Sequence, residues 1–251
     1  MDDAGGATPT IHGMLKRLTI AVLSVVVLAG CGGDGDDGDD TAKDAGTPSS
    51  RSSGAPEGSA EPADVTCEYP ADPPEMPVAR EVEAPPQEPA VGGEVKVTMV
   101  TTLGDLEVTL DAAAAPCTVN SFVSLAEQGY YDDSPCHRLT TLDESGIAVL
   151  QCGDPTGEGT GGPGYNYADE LTGAEAYGPG TLAMANRGAN TNGSQFFIVY
   201  DDTPLPPSYT VFGSVADVQS VVELAEKGTV TLDTGTTAPT EDVDIEQFVW
   251  Q

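Results

Sequence analysis

Short runs of alternating apolar and polar side chains are the feature of this sequence that most limits its possible folds. Val95, Val97 and Met99 alternate with polar residues, and the alternation resumes at 106–110 after Gly104-Asp105. A repeat of two residues places the apolar side chains on one face of a strand. Two such runs separated by Gly-Asp predict a β-hairpin that turns at Gly104-Asp105.

Helical spacing occurs in only two segments. The first begins at Pro116 and ends near Gly129, and the second runs from Asp217 to Lys227 with Gly228 behind it. Further strands are predicted at 136–142, 147–153, 181–185, 194–200, 209–215 and 243–249. Many strands with two helices predict an all-β fold, a closed antiparallel barrel, because closure removes exposed strand edges.

The chain is strongly acidic. Its 251 residues carry a formal net charge of -32. Nucleic-acid binding requires clustered Lys and Arg, and electrostatic adhesion to an anionic membrane has the same requirement. Both are therefore excluded as the main function, and the charge favours a solvated protein outside the cytoplasm.

The first thirty residues have the pattern of a signal peptide. Lys16 and Arg17 precede an apolar run from Leu18 to Gly30, which is shorter than the roughly 20 residues that span a bilayer. The sequence Leu28-Ala29-Gly30-Cys31 resembles the lipobox of bacterial lipoproteins, which implies lipidation of Cys31. An ordinary signal peptide with an incidental cysteine is the alternative. Because residues 1–13 do not suit a signal peptide, Met14 is a candidate for the true start.

Residues 31–92 are rich in Gly, Asp, Ser, Pro, Ala and Glu. So few apolar side chains cannot offset the entropy lost on ordering. We therefore predict a disordered, acidic, Pro- and Gly-rich tether over 31–92, followed by one folded domain over 93–251.

The segment from Met184 to Ile198, MANRGANTNGSQFFI, concentrates amides, glycines and two aromatic rings. A hydrolase site requires a carboxylate, a Ser/His pair or metal ligands. This segment supplies neutral hydrogen-bonding groups and an apolar floor instead, which suit the binding of an extended peptide. A Gly/Asn-rich loop between two strands is the alternative interpretation.

This segment and five others resemble the cyclophilins, the barrel-shaped peptidyl-prolyl isomerases, over about residues 93–251. The matching motifs, in chain order, are Asn120-Ser121-Phe122, Cys136-His137-Arg138-Leu139, Leu150-Gln151-Cys152-Gly153-Asp154, Gly159-Thr160-Gly161-Gly162, the segment 184–198 and Tyr209-Thr210-Val211-Phe212-Gly213. The resemblance implies an eight-stranded barrel with a helix at each open end, no metal and no cofactor.

The resemblance also implies roles for individual residues. Arg138 aligns with the catalytic arginine and Gln151 lies beside it on the next strand. An isolated arginine paired with a surface acid is the alternative for Arg138. The substrate-binding residues implied are Gly159, Ala185, Asn186, Arg187, Gln195, Phe197, Leu205, Tyr209, Ala148 and Val149.

The sequence departs from the family pattern around the proline pocket. Ala148 aligns with the usual phenylalanine, Val149 with methionine, Pro204 with the rim tryptophan and Tyr209 with histidine. These changes predict a thinner pocket and at most weak binding of cyclosporin.

Four cysteines remain beside Cys31: Cys67, Cys117, Cys136 and Cys152. An even number outside the cytoplasm indicates two disulfides in one of three pairings, with free thiols as the alternative. Strand alternation disfavours a direct Cys136–Cys152 bond if Arg138 and Gln151 both face the substrate. Cys136 then lies on the same face of its strand as Arg138, whereas Cys152 lies on the other face of its strand from Gln151.

The leading functional hypothesis is a lipid-anchored isomerase on the extracytoplasmic face of the cell membrane. It predicts a monomer that acts on Pro-containing peptides and unfolded secreted proteins. Two alternatives remain open: a catalytically weak cyclophilin-fold module that binds Pro-containing segments, and a structural lipoprotein whose acidic tether matters more than its barrel.

Overall fold

A computed structural model describes residues 54–251. The predicted signal peptide, Cys31 and the first part of the predicted tether lie outside the described residues. The described elements, in chain order, are β1 (Gly58–Ala60), β2 (Gly92–Thr101), β3 (Gly104–Asp111), α1 (Pro116–Glu127), β4 (Ser134–Pro135), β5 (Arg138–Thr140), α2 (Leu142–Ser145), β6 (Val149–Cys152), β7 (Thr181–Met184), β8 (Phe196–Val199), β9 (Val211–Val215), α3 (Gln219–Glu226), β10 (Thr229–Thr231), β11 (Thr237–Pro239) and β12 (Asp244–Trp250).

The predicted first hairpin is confirmed as β2 and β3, but its turn lies earlier in the chain. Val95 pairs with Leu110, and the last pair is Thr101 with Gly104. The two turn residues are therefore 102–103. The Thr101 hydroxyl accepts a hydrogen bond from the amide of residue 103 and donates one to the Gly104 carbonyl. Gly104, at φ +110°, begins the returning strand.

The mainly β, antiparallel class is confirmed, and the main sheet curls around the core. Its strands follow the order β4-β12-β2-β3-β9-β7-β8-β6-β5, with β1 added beside β2. The predicted closed barrel of eight strands is wrong in one respect, because no strand pair joins β4 to β5. These two ends of the sheet are consecutive in the chain and only Cys136 and His137 separate them. The two-residue β4 contains Pro135, which has no amide hydrogen to donate.

Both predicted helices are present. Helix α1 begins at Pro116, and the chain turns away at Gly129, where φ is +66°. Helix α3 is shorter than predicted, since the Asp217 carboxylate accepts from the amide of Gln219 just before the first turn. A third helix, the four-residue α2, was not predicted and lies in the β5–β6 connection.

Phe122 lies at the centre of the core. Its ring is within 5.1–5.5 Å, centroid to centroid, of the rings of Tyr131, Phe196, Phe212 and Phe248. Aromatic pairs at such distances stabilise a core beyond the area that they bury. These rings therefore join α1 to β8, β9 and β12.

The prediction of a disordered tether is wrong for residues 54–92, which we call the N-terminal strap. The strap pairs with β2 through β1, and Cys67 forms a disulfide with Cys117. The Arg80 guanidinium donates hydrogen bonds to the carbonyls of Gly129, Tyr130 and Asp132 at 2.8–3.0 Å. The strap has little apolar surface to form a core of its own, but these partners in the barrel domain fix its position.

The strap also lies along the loop that follows β6. The amide of Asp72 donates to the Gly164 carbonyl, and the amide of Ala79 donates to the Gly162 carbonyl, both at 2.9 Å. Tyr69 contacts the ring of Tyr165 edge-on at 5.5 Å. The strap therefore supports the back of the Gly159–Gly164 loop.

A second disulfide links Cys136 to Cys152, the pairing that strand alternation disfavoured. That expectation is wrong because β5 begins only at Arg138. Cys136 lies outside the strand, so the alternation of faces does not extend to it. Its Cα lies 4.0 Å from the Cα of Cys152.

Among residues 54–251, no helix is long and apolar enough to cross a bilayer.

Candidate active site

Three neighbouring strands bring Arg138, Gln151 and Phe197 into one row across the sheet. Arg138 on β5 pairs with Gln151 on β6, and Gln151 pairs with Phe197 on β8. Residues that face each other across antiparallel strands project on the same side of the sheet. The row therefore places a cation, an amide and an aromatic ring next to one another.

A chain of side-chain hydrogen bonds extends from this row. Nη1 of Arg138 donates to Oε1 of Gln151 at 3.1 Å, and Nε2 of Gln151 donates to Oε1 of Gln195 at 2.8 Å. Nε2 of Gln195 in turn donates to the Gly161 carbonyl at 2.9 Å. This direction of donation makes Gln151 an acceptor toward the guanidinium and fixes the position of Arg138.

Arg138 is half-buried and has no carboxylate partner among the described residues, whose one ion pair is Lys227–Glu241. Burial lowers the pKa of Arg138, and nearby Tyr209 acts in the opposite direction. An arginine keeps its charge even so, because its ordinary pKa lies far above neutral pH. The alternative of a surface arginine paired with an acid is therefore not what the structure shows.

An apolar pocket of about 120 Å³ lies beside the guanidinium. Phe197 forms its floor, and its apolar walls come from Ile147, Val149, Leu205 and Tyr209. The rings of Phe197 and Tyr209 meet edge-on at 5.6 Å. Apart from Ala185, the remaining lining is polar and consists of Arg138, Gln151 and Asn186, so the pocket has one apolar and one polar side.

The structure does not place Ala148 in this pocket. Ala148 is fully buried in the main core, and its amide donates to the Thr203 hydroxyl at 3.0 Å. Ile147 occupies the pocket wall instead. Ile147 lies two residues before β6 begins at Val149, so strand alternation does not place it, and it is the folded chain that brings it beside Val149 and Gln151 in the pocket lining.

We therefore expect opposite results from two neighbouring substitutions. Ile147→Phe enlarges the apolar wall and should raise the affinity for a Pro-containing peptide several-fold. Ala148→Phe adds a ring to a filled core and should destabilise the fold by about 1–3 kcal/mol. Peptide titration by NMR and urea unfolding of both variants test this assignment. Tighter peptide binding by Ala148→Phe alone would contradict it.

A smaller groove of about 90 Å³ adjoins the pocket and shares Gln151, Ala185 and Asn186 with it. The structure brings the other predicted binding residues, Gly159, Arg187 and Gln195, into this groove. The side-chain Nδ2 of Asn186 donates to the Ser208 carbonyl at 2.9 Å, which holds the chain at the junction of the two cavities.

Gly161 shows why this rim requires glycine. A Cβ atom at residue 161 would lie 2.4 Å from Oδ1 of Asp154 and 2.7 Å from the Cβ of Ala79. The Asp154 carboxylate accepts from the amide of Gly161 at 2.9 Å, which closes the loop tightly. The strap residue Ala79 therefore packs directly behind the groove.

His137 lies beside the groove with both ring nitrogens buried and without a hydrogen-bond partner. Burial lowers its pKa, Asp154 acts in the opposite direction, and the Arg138 charge lowers it further. Below an unfolded-state pKa of about 6.5 the unfolded chain then binds more protons than the native chain. The contribution of His137 to stability is consequently lost as the pH falls below that value.

Thermal unfolding between pH 7 and pH 5 tests this effect of His137. We expect the wild-type melting temperature to fall more steeply over that interval than the melting temperature of His137→Gln. Titrating carboxylates act on both proteins, so the difference between the two slopes isolates the imidazole. Equal slopes would contradict the assignment.

The chemistry available at the two cavities is narrow. No carboxylate, histidine or cysteine lines either of them. Among residues 54–251, no group of three or more His, Cys, Asp or Glu side chains could hold a metal ion. The arrangement can bind an extended peptide, seat an apolar ring and direct a cationic donor at it.

Comparison with known proteins relates this arrangement to one family. The model of the family described as cyclophilin type peptidyl-prolyl cis-trans isomerase/CLD matches residues 96–249. The chain is 48% identical over 168 residues to a probable peptidyl-prolyl cis-trans isomerase B of Mycobacterium tuberculosis, covering 60% of this chain and 52% of that protein. For the probable isomerase B of Mycobacterium leprae the identity is 43% over 203 residues, covering 73% and 66%. The chain thus spans about half to two thirds of the length of these curated relatives.

Solved structures show the same fold. A crystal structure of a Cryptosporidium parvum cyclophilin type peptidyl-prolyl cis-trans isomerase matches with a TM-score of 0.55 and 31% identity, covering 63% of this chain and 98% of that one. A second crystal structure of that protein, in the presence of the dipeptide Ala-Pro, matches with a TM-score of 0.54. Since the family match covers more than half of the chain and includes every residue that lines the pocket and the groove, the chain belongs to the cyclophilin-type peptidyl-prolyl cis-trans isomerase family.

Proposed function

We propose that this protein catalyses cis-trans isomerisation of X-Pro bonds in extracytoplasmic polypeptides by a non-covalent mechanism centred on Arg138. The observation that carries the proposal is the half-buried guanidinium, which has no carboxylate partner among residues 54–251 and is held by Gln151 at the edge of the pocket. The relatives named as isomerases support it at the level of the family.

The reaction requires a twisted amide. Rotation about the C–N bond costs roughly 18–20 kcal/mol because twisting removes the resonance of the planar amide. The prolyl nitrogen gains lone-pair density as resonance is lost. A proline ring seated over Phe197 brings this nitrogen toward Arg138, whose free N–H groups can donate to it.

This donation is stronger in the twisted state than in either planar state, so it accelerates the exchange in both directions. Uncatalysed X-Pro exchange takes tens of seconds. A rate on the order of 100 per second then needs about 4–6 kcal/mol of differential stabilisation, at roughly 1.36 kcal/mol per tenfold. A charged donor that lacks a competing carboxylate can supply a large part of this in a partly desolvated site.

A weak binding module remains the second candidate function. Pro204, where the family has its rim tryptophan, is exposed and does not line the pocket, and the pocket wall at Ile147 is aliphatic. Both features favour weaker binding of the proline ring and of cyclosporin.

One experiment separates an isomerase from a binder. Exchange NMR on a peptide with a single X-Pro bond measures binding and the cis-trans exchange rate in the same sample. We expect substoichiometric protein to accelerate the exchange. Chemical-shift changes of the peptide without faster exchange would identify a binder and refute the enzymatic proposal.

The extracytoplasmic location is supported by two features. Residues 54–251 contain two disulfides, which are typical of oxidising compartments, and the lipobox-like sequence ends at Cys31. A lipid anchor at Cys31 places the enzyme beside unfolded secreted proteins, its proposed substrates. Lipoprotein modification supplies at least two acyl chains, enough for stable anchoring.

Mass spectrometry of the mature N-terminal peptide tests the anchor. We expect cleavage between Gly30 and Cys31 and acyl chains on Cys31. Cys31→Ser should remain unprocessed by the lipoprotein peptidase or become soluble, with isomerase activity retained. An unlipidated wild-type N-terminus would refute the anchor and leave the enzymatic proposal untouched.

A further inference from the structure

The two residues Cys136 and His137, which we call the seam, connect the two ends of the main sheet. Strand β4 ends at Pro135 on one side of the seam, and β5 begins at Arg138 on the other. The amide of Cys136 donates to the Val243 carbonyl at 2.7 Å, which ties the seam to the β4 and β12 side. The catalytic arginine is therefore the first residue after a break in the strand ladder.

Strand pairing alone holds Arg138 weakly. Strand β5 has three residues, pairs with β6 only, and ends the strand order of the sheet. Arg138 is its terminal residue, and terminal pairs of a ladder open most easily. His137, the residue before it, has no side-chain hydrogen bond.

The Cys136–Cys152 disulfide spans this break. Cys136 precedes Arg138 by two residues and Cys152 follows Gln151 directly, so the bond encloses the Arg138–Gln151 pair at the open end of the ladder. Both half-cystines are buried, with exposed fractions of 3% and 0%. The bond covalently joins the strand of the arginine to the strand of its hydrogen-bond partner, where the ladder provides no further pair.

We propose that the Cys136–Cys152 disulfide is a positioning group for catalysis, which holds the Arg138 guanidinium against Gln151 and over the pocket. This inference rests on the proposed isomerase function. Small displacements of a catalytic group lower the reaction rate, because its position must be kept within about 0.5 Å and its orientation within about 10–20° of the productive geometry. The bond supplies this constraint from the side of Arg138 that strand pairing leaves free.

The second disulfide provides a matched control. Cys67–Cys117 joins the strap to the first turn of α1, and neither cysteine lines the pocket or the groove. Its sequence separation is 50 residues, against 16 for Cys136–Cys152. Closing the longer loop removes more entropy from the unfolded chain, so its loss should lower stability at least as much. If both bonds had a purely structural role, loss of the Cys67–Cys117 bond would therefore lower stability at least as much as loss of the Cys136–Cys152 bond.

The experiment compares Cys136→Ala/Cys152→Ala with Cys67→Ala/Cys117→Ala by steady-state isomerisation kinetics, at a temperature where both are folded. We expect kcat of the first variant to fall at least fivefold with KM changed less than twofold. We expect the control to keep kcat within twofold of wild type although its melting temperature falls. A kcat within twofold for both variants, or equal losses in both, would overturn the proposal.

Two further measurements keep the result interpretable. Cys136→Val/Cys152→Ala, which refills the buried volume, replaces the first variant if that one does not fold, with the same expected loss of kcat. The NMR signals of the Gln151 side-chain amide report on the contact with Arg138. They should shift when the Cys136–Cys152 bond is removed, but not in the Cys67→Ala/Cys117→Ala control. Absence of isomerisation by the wild type would instead refute the proposed function.

Discussion

Replacement of Arg138 by alanine is expected to lower kcat/KM for a Pro-containing peptide at least tenfold, while the melting temperature stays nearly fixed. A tenfold loss corresponds to about 1.4 kcal/mol of transition-state stabilisation. The guanidinium has one side-chain hydrogen bond, to Gln151, and forms no ion pair among residues 54–251, so its removal breaks little that stabilises the fold. Exchange NMR and thermal unfolding of the same preparation measure both quantities.

Arg187→Ala is the matched control for this variant. Arg187 lines the groove but not the pocket, and its Nη1 donates to the Thr160 carbonyl at 3.2 Å. Its loss should raise KM and leave kcat within about twofold of wild type, because the groove binds planar and twisted substrate alike. Unchanged kcat/KM in Arg138→Ala would remove the catalytic assignment.

Truncation of Phe122 to alanine should produce the largest loss of stability, about 3–5 kcal/mol in the free energy of unfolding. Phe122 is 2% exposed, and its ring contacts four other aromatic rings from different parts of the chain. The cavity left behind cannot close without moving β8, β9 and β12. Urea unfolding followed by circular dichroism measures the loss.

Phe197→Ala provides the comparison, because this residue is also a buried phenylalanine but lies in the pocket cluster. Removing its ring leaves a space that opens to solvent, so we expect a smaller loss of stability and a large loss of peptide affinity. If Phe197→Ala were the more destabilising variant, our division between core and pocket would be wrong.

Most of the barrel could be predicted from local patterns. Alternation located the hairpin of β2 and β3, and helical spacing located α1, because both signals depend only on neighbours in sequence. The row of Arg138, Gln151 and Phe197 follows from the same logic once the resemblance has aligned the strands. Each of these three side chains can be placed in the row once the strand that carries it has been assigned correctly.

The remaining features depend on contacts between distant residues. Nothing in the composition of the strap shows that Arg80 donates to three carbonyls about 50 residues away or that Cys67 bonds with Cys117. The pairing of Cys136 was mispredicted because strand alternation was extended beyond the start of β5. Ala148 was misplaced because it was assigned by counting back from Gln151, whereas the structure buries Ala148 in the main core and brings Ile147 to the pocket instead.

The strap also moves the domain boundary toward the N-terminus. The family match begins at Lys96, yet a protein shortened to that point would lose Cys67 and Arg80, leaving the Cys117 thiol unpaired and three carbonyls after α1 without their donor. We expect such a fragment to be easily cleaved by proteases, whereas one beginning at Gly54 should resist them. We therefore expect the unit that folds autonomously to be longer than the part of the chain that the family model matches.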